Sequence, residues 1–387
     1  MFNFTALPPL SLYIHIPWCV RKCPYCDFNS HEARQQPLPE TDYITALIAD
    51  LEQDLPAVWG RSIDSIFIGG GTPSLFSPAS LDRLLSEVRA RLPCKPTAEI
   101  TMEANPGTWE AGKFREFRAL GVNRLSLGIQ SFDGEMLKRL GRIHGSHEAF
   151  SAAETAHAVG FENFNLDLMY GLPGQSLAQA LSDIEHAIAL QPTHISLYQL
   201  TLEPNTAFYA NPPTLPEDDI LWEMQEQCQA KLAARHYGQY ETSAYAQPSR
   251  ESRHNLNYWR FGDYLGIGAG AHAKISDAQS QGITRTWKVK NPRDYMAKAA
   301  NRERLGGTRR LTRADAGMEF MMNALRLAHG FPTALFAEHT GLPISTVAAA
   351  LAQAEQKTLL TWDIHNIRPT DLGKRFLNDL IALFLPG

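Results

Sequence analysis

Cysteine is scarce in this 387-residue chain, long apolar runs are missing, and there is no surplus of positive charge. Each shortage excludes a class of protein. Five cysteines, of which Cys19, Cys23 and Cys26 fall within eight residues while Cys94 and Cys228 stand alone, cannot frame a disulfide-stapled fold. Clustered thiols in a chain of this kind point to a metal or redox centre instead. No apolar run approaches the roughly 18 residues that read as a membrane span, and the mean hydropathy of -0.26 agrees. With 36 Lys+Arg against 41 Asp+Glu, a net charge of -5, there is no general electrostatic reason to expect nucleic acid as a partner. The first ten residues, MFNFTALPPL, lack Lys and Arg and contain two prolines, unlike a secretory leader. A cytoplasmic location is expected, with peripheral membrane contact left open. The remaining composition, 44% hydrophobic and 20% charged, is that of a folded globular chain.

From Leu12 to about Thr201, short β-rich runs alternate with longer amphipathic stretches. The strand candidates are 12–18, 65–70, 98–105, 124–131, 163–170 and 194–200, and helical periodicity marks 43–55, 80–92 and 177–190. Strand, helix, strand at this spacing predicts right-handed crossovers and a parallel sheet. Six such units predict an α/β fold of partial (β/α)6-barrel type rather than a closed eight-stranded one. Functional groups are then expected at the carboxyl ends of the strands. A further helical stretch over 217–237 leads into a Tyr-, His- and Gly-rich region containing HNLNYW (254–259) and GIGAGAH (266–272). Near GGTRR (306–310) the character changes. The expected division is 1–305 for the barrel and its extension, and 306–387 for a small helix-rich domain of winged-helix type. From residue 308 onward, 8 Lys+Arg stand against 7 Asp+Glu, so packing or partner docking is preferred there over DNA binding.

Cys19-x3-Cys23-x2-Cys26 follows the first strand directly, so three thiolates can converge from one loop. Thiolates are the ligands of iron-sulfur clusters, and three of them leave one iron of a four-iron cubane open. A zinc site completed by His31 is the alternative on spacing alone. Gly69-Gly70-Gly71-Thr72-Pro73 follows the second strand, either as a tight turn or as backbone shaped for close approach to a charged ligand. Polar residues then recur at later strand ends: Glu103, Gln130 with Ser131, and Asp167, with Arg142 and His144 after the fourth strand.

In this order the motifs resemble those of the radical S-adenosylmethionine (SAM) enzymes, and over residues 10–300 the chain is similar to the oxygen-independent coproporphyrinogen III oxidase branch. The resemblance implies a [4Fe-4S] cluster on Cys19, Cys23 and Cys26. It also implies SAM contacts from Tyr13, Gly70, Gly71, Thr72, Glu103, Gln130, Arg142, Asp167 and Met169. Two departures turn the reading away from the oxidase itself: its cysteine loop continues with a further Cys where Phe28 stands here, and its long extension before the loop is missing. HNLNYW instead resembles the HNxxYW pattern of a related haem-chaperone branch. That likeness implies that the chain binds haem, with His254 as donor to the iron and Tyr258 and Trp259 packing on the porphyrin, and delivers it to an acceptor such as a membrane-associated respiratory protein. Taken from its residues alone, a buried histidine hydrogen-bonded to neighbouring backbone is the preferred reading of His254. The other activity the resemblance allows is radical SAM oxidation of a tetrapyrrole.

Overall fold

The computed structural model describes residues 2–34, 37–107 and 112–385. Six parallel strands occur where the β-rich runs predict them, to within four residues: β1 (Leu10–Ile16), β2 (Ile63–Gly70), β3 (Cys94–Ala104), β4 (Arg124–Gln130), β5 (Phe164–Tyr170) and β6 (His194–Gln199). They lie side by side in chain order. Crossovers run through α1 (Glu40–Asp54), α2 (Pro78–Arg91), α3 (Phe114–Ala119), α4 (Ser146–Ala158) and α5 (Leu177–Ala189). Local chemistry starts these helices. Ser77 accepts from the Ser80 N–H with Pro78 in the first turn, and Ser176 and Gln179 form a reciprocal capping box.

The sheet is larger than six strands. Beyond β6 and the helix α6 (Asp218–Ala233) it gains the antiparallel pair β7 (Gly238–Glu241) and β8 (Ala244–Ala246). On the other side β9 (Asp263–Ile267) joins β1 in parallel, and β10 (His272–Asp277), β11 (Gly282–Lys288) and β12 (Leu305–Arg310) follow antiparallel. The twelve strands run β12-β11-β10-β9-β1-β2-β3-β4-β5-β6-β8-β7, an open sheet with seven parallel strands at its centre. GGTRR, expected to open the C-terminal unit, is therefore part of the edge strand of the main sheet.

Residue alternation gives the sheet two unlike faces. Leu10, Leu12, Ile14 and Ile16 on β1, Ile100 and Met102 on β3, Leu125 and Leu127 on β4, and Leu166 and Leu168 on β5 are buried in the helix-covered core. The opposite face carries Ser11, Tyr13 and His15, then Glu99, Thr101 and Glu103, then Arg124 and Ser126, then Asn165 and Asp167, then His194 and Ser196. Hydrogen bonds among these groups offset much of the cost of burying them, although Thr101 Oγ1 and Arg124 Nε have no partner. Ser11 pairs with Ser65 (2.8 Å), Ser126 donates to Asp167 (2.8 Å), and Asn165 joins Ser126, Asp167 and His194 within 2.9 Å. The inside of the partial barrel is thus polar down its depth.

A second core is built mainly from Leu311 to Phe384, with Phe320, Phe336 and Leu351 wholly buried, and Phe4, Phe261 and Ile283 join it from outside that unit. Helices α8 (Arg313–Ala324), α9 (Thr333–Thr340) and α10 (Ala348–Gln356) pack with a three-stranded sheet whose outer strands are Phe331–Pro332 and Leu360–Trp362 and whose centre is Asn366–Pro369. Arg285 on β11 bonds to Glu319 on α8 at 2.7 Å, tying this unit to the sheet. Among the described residues no helix is long and apolar enough to cross a membrane.

Candidate functional site

At the carboxyl edge of the parallel strands lies a cavity of about 490 Å³. Cys19, Cys23 and Cys26 line it from the loop after β1, with Gly70, Gly71 and Thr72 after β2 and Glu103 at the end of β3. Gln130, Arg142, Asp167 and Met169 complete the expected set on the cavity wall. Tyr13 is the exception. Its side chain sits on the inner face one layer down, where its hydroxyl is bonded to His15 Nδ1 at 2.9 Å, and it does not line the cavity. Gln130 holds a φ of +69°, an uncommon conformation for a residue with a Cβ, and one that concentrates at binding sites.

Each thiol has a protein partner. Thr72 Oγ1 donates to Cys19 Sγ at 3.5 Å, Arg142 Nη1 donates to Cys23 Sγ at 3.5 Å, and Cys26 Sγ lies 3.6 Å from Ser30 Oγ. Asn105 links two of these donors, giving a hydrogen bond to Thr72 Oγ1 (2.8 Å) and accepting one from Arg142 Nη2 (2.6 Å). Arg142 Nε is buried with no hydrogen-bond partner, a cationic donor still unsatisfied at the cavity wall. Burial pushes the Cys19 thiol up to about 11, against the Thr72 hydrogen bond, and raises Cys26 as well. A metal's positive charge would oppose that rise and favour the thiolates. Among the described residues no three His, Cys, Asp or Glu side chains gather closely enough for a single ion. His31 is instead engaged with Asn29 at 3.3 Å.

Two carboxyl groups face each other across the inner face. Glu103 accepts from the Gly70 N–H at 2.9 Å, and burial with the nearby Asp167 raises it to about 8. Asp167 is also raised by burial, opposed by Ser126, Asn165 and the Arg124 guanidinium. The glycines of the GGGTP turn have a structural reason of their own. Gly70 has a φ of +117°, and a Cβ there would lie 2.5 Å from the His15 ring; a Cβ on Gly71 would lie 2.6 Å from the Trp18 carbonyl.

HNLNYW is the helix α7 (Arg253–Trp259), which plugs the inner face well below the cavity rather than lining it. His254 is 1% exposed. Its Nδ1 is bonded to Ser65 Oγ (2.9 Å), its Nε2 to Tyr258 OH (3.0 Å), and its own N–H donates to Glu99. Burial holds it neutral, lowered to about 3. Positions 254 and 258 share a helix face, so Tyr258 meets His254 edge-on. Trp259 is turned about 100° further round, packs against the C-terminal core and lies under Arg326. The three residues do not form one porphyrin-sized face in this arrangement.

Asn105, Ser126 and His15 were not singled out from the sequence. Their common signal is the strict alternation in LSLYIHI, AEITMEAN, RLSLGIQ and NLDLMY, whose polar half marks a second buried surface. Cys94 and Cys228 lie away from the cavity, Cys228 wholly buried on α6.

Residues 13–187 match the Radical SAM superfamily, and residues 311–376 match the HemN C-terminal domain. The chain is 52% identical to a protein of Escherichia coli named "Heme chaperone HemW", over 98% of this chain and 99% of that protein. Proteins of the same name from Haemophilus influenzae and Bacillus subtilis are 49% and 35% identical, over 98% and 97% of this chain and 98% and 99% of theirs. The solved structure of coproporphyrinogen III oxidase (HemN) from Escherichia coli superposes with a TM-score of 0.82 at 24% identity, covering 98% of this chain and 90% of that one, a likeness of fold. Identity at this level along the full length, together with the cysteine loop at the mouth of a partial barrel, means that the chain belongs to the HemW family of the radical SAM superfamily.

Proposed function

We propose that this protein binds haem and passes it to an acceptor protein, and that its cavity holds a [4Fe-4S] cluster with SAM. The observation that carries the haem reading is the full-length identity to proteins named as heme chaperones. The site supports it in one further respect. Val20, Phe28 and Ile143 ring the cavity mouth and are 54%, 62% and 63% exposed, an apolar rim suited to a flat apolar ligand. Phe28 takes the place of the oxidase's additional cysteine there.

Cys19, Cys23 and Cys26 would hold the cluster, and the unsatisfied Arg142 Nε and the Glu103 carboxyl suit the carboxylate and amino group of SAM. When bound, cluster and SAM supply one-electron chemistry at a sulfonium. The protein's own part is to desolvate and orient: Asn105 fixes Arg142 and Thr72, and Asp167 is held by the Ser126 hydroxyl on one oxygen and the Asn165 amide on the other. Replacing Asp167 with Ala should weaken SAM binding by about 1.5–3 kcal/mol, the range for hydrogen bonds to a charged group. Equilibrium binding to cluster-loaded protein checks this, and unchanged affinity removes Asp167 from the site.

His254 remains the candidate nitrogen donor to haem iron, on its place in the HNxxYW pattern. Ligation through Nε2 requires the Tyr258 hydroxyl to release it, so haem binding at His254 entails an outward movement of α7. His254→Ala should then alter the Soret band or spin state of bound haem while leaving some binding. An identical spectrum would exclude His254 as ligand. The haem reading itself is tested by titrating haem into the purified protein. One equivalent per chain with a defined Soret band is expected, followed by transfer to an apo-acceptor; absence of any bound spectrum would contradict it.

A further inference from the structure

The GIGAG turn after β9 has no part in the site described above, yet it touches the cysteine loop. That loop follows β1 and returns beside its own start, where Trp18–Cys19 pairs in parallel with His31–Glu32 and the Ala33 N–H donates to the Cys19 carbonyl at 2.8 Å. On the returning limb Asn29 is gripped from outside the loop. Its Nδ2 donates to the carbonyls of Ala269 and Lys290, each at 2.9 Å, and its own carbonyl lies 2.9 Å from His15 Nε2.

The carbonyl can only accept, so His15 Nε2 carries the proton, Nδ1 is the acceptor and Tyr13 OH is its donor. The His15 ring fills the space a Cβ on Gly70 would need, so one imidazole spans the GGGTP turn and the cysteine loop.

The seat itself is rigidly mounted. Gly268 and Gly270 have φ of +109° and +77°; a Cβ on Gly270 would lie 2.6 Å from Asn29 Nδ2, and one on Gly268 2.5 Å from the His15 carbonyl. The Ala269 N–H donates to Tyr43 OH (2.9 Å), which donates onward to the His15 carbonyl (2.9 Å). The Gly268 N–H donates to Tyr295 OH (3.0 Å), which donates to Asp50 (2.7 Å) on α1. The turn is therefore held by side chains from α1 and from the 292–298 helix, and it holds Asn29 in turn.

We infer that Asn29 and His15 are positioning residues for the cysteine loop, with the 268–270 turn as their fixed seat, so that the spacing of the three thiols is set from the far side of β1. The inference deepens the cluster reading given above and rests on it for one of its two measurements. The other needs no cluster: the rate at which iodoacetamide alkylates Cys19, Cys23 and Cys26 in the metal-free protein, followed by mass spectrometry.

In Asn29→Ala these rates should rise roughly tenfold, the factor expected when two ordinary hydrogen bonds that hold a loop closed are lost, while the far-UV spectrum stays that of the parent. Asn29→Asp keeps the volume and turns a carboxylate toward two carbonyls, so it should behave alike and serves where the alanine variant folds poorly. In reconstituted protein both should shift the EPR spectrum of the reduced cluster and its response to SAM. His15→Gln, which can place an N–H at the Nε2 position, should restore parent behaviour, and His15→Phe should not. Parent-like alkylation rates together with an unshifted EPR spectrum in both Asn29 variants would overturn the inference. A parent protein that takes up no four-iron cluster would instead refute the cluster reading, leaving the alkylation result to decide the positioning role.

Discussion

Cys23→Ser should take the protein from about four irons and four sulfides per chain after anaerobic reconstitution to a small fraction of that, and Cys19→Ser and Cys26→Ser should do the same. The effect is large because, among the described residues, His144 is the one Cys or His outside the loop that lines the cavity, and its Nε2 is already bonded to the Ile129 carbonyl at 3.1 Å. A hydroxyl is a poor replacement for a thiolate at iron. The double variant Cys94→Ser/Cys228→Ser is the control and should keep its iron in full, since neither residue lines the cavity. Retention of four irons by Cys23→Ser, or loss of a quarter or more by the control, would require a different ligand set. Stoichiometric zinc in active protein would reject the cluster.

The largest stability effect should come from Asp50. Its carboxylate is wholly buried and accepts from Lys288 Nζ (2.6 Å), Arg304 Nε (2.8 Å) and Tyr295 OH (2.7 Å), while the neighbouring Asp54 takes one further contact from each cation, at 2.6 and 2.5 Å. Burial raises Asp50, and the Lys288 charge opposes that rise. Asp50→Ala would leave a wholly buried ammonium and a nearly buried guanidinium with one carboxylate between them. Removing one partner of a buried pair typically costs about 3–5 kcal/mol. Chemical denaturation should show a loss of that order. A loss under 1 kcal/mol would mean that Asp54 alone neutralises both cations. The same substitution should raise the alkylation rate of the cysteine loop, since Asp50 helps to seat the 268–270 turn.

The centre of the fold was legible because its signals are local. Each parallel strand is a short β-rich run followed by an amphipathic helix, and the order of the runs is the order in the sheet. The cysteine loop and the strand-end residues could be placed from that order alone. The seventh parallel strand could not. DYLGI is short, glycine-bounded and pairs with a strand some 250 residues earlier, a partnership no local periodicity encodes. Asp50 was hidden for the same reason: an acid on the buried face of a helix declares a partner without saying that Lys288 and Arg304 are the ones. Tyr13 and the HNxxYW residues show the converse limit. Likeness to a motif places them near a ligand, whereas the hydrogen-bond geometry gives Tyr13 to His15, His254 to Ser65 and Tyr258, and Trp259 to the C-terminal core.

The central claim, that this radical SAM scaffold carries haem instead of oxidising a porphyrinogen, is tested most directly by one anaerobic comparison. Cluster-loaded protein is offered haem in one arm and coproporphyrinogen III with SAM and reductant in the other. Haem should bind at one per chain and pass to an apo-acceptor, with no decarboxylated porphyrinogen above the protein-free background. Multiple-turnover decarboxylation, with haem left unbound, would contradict it.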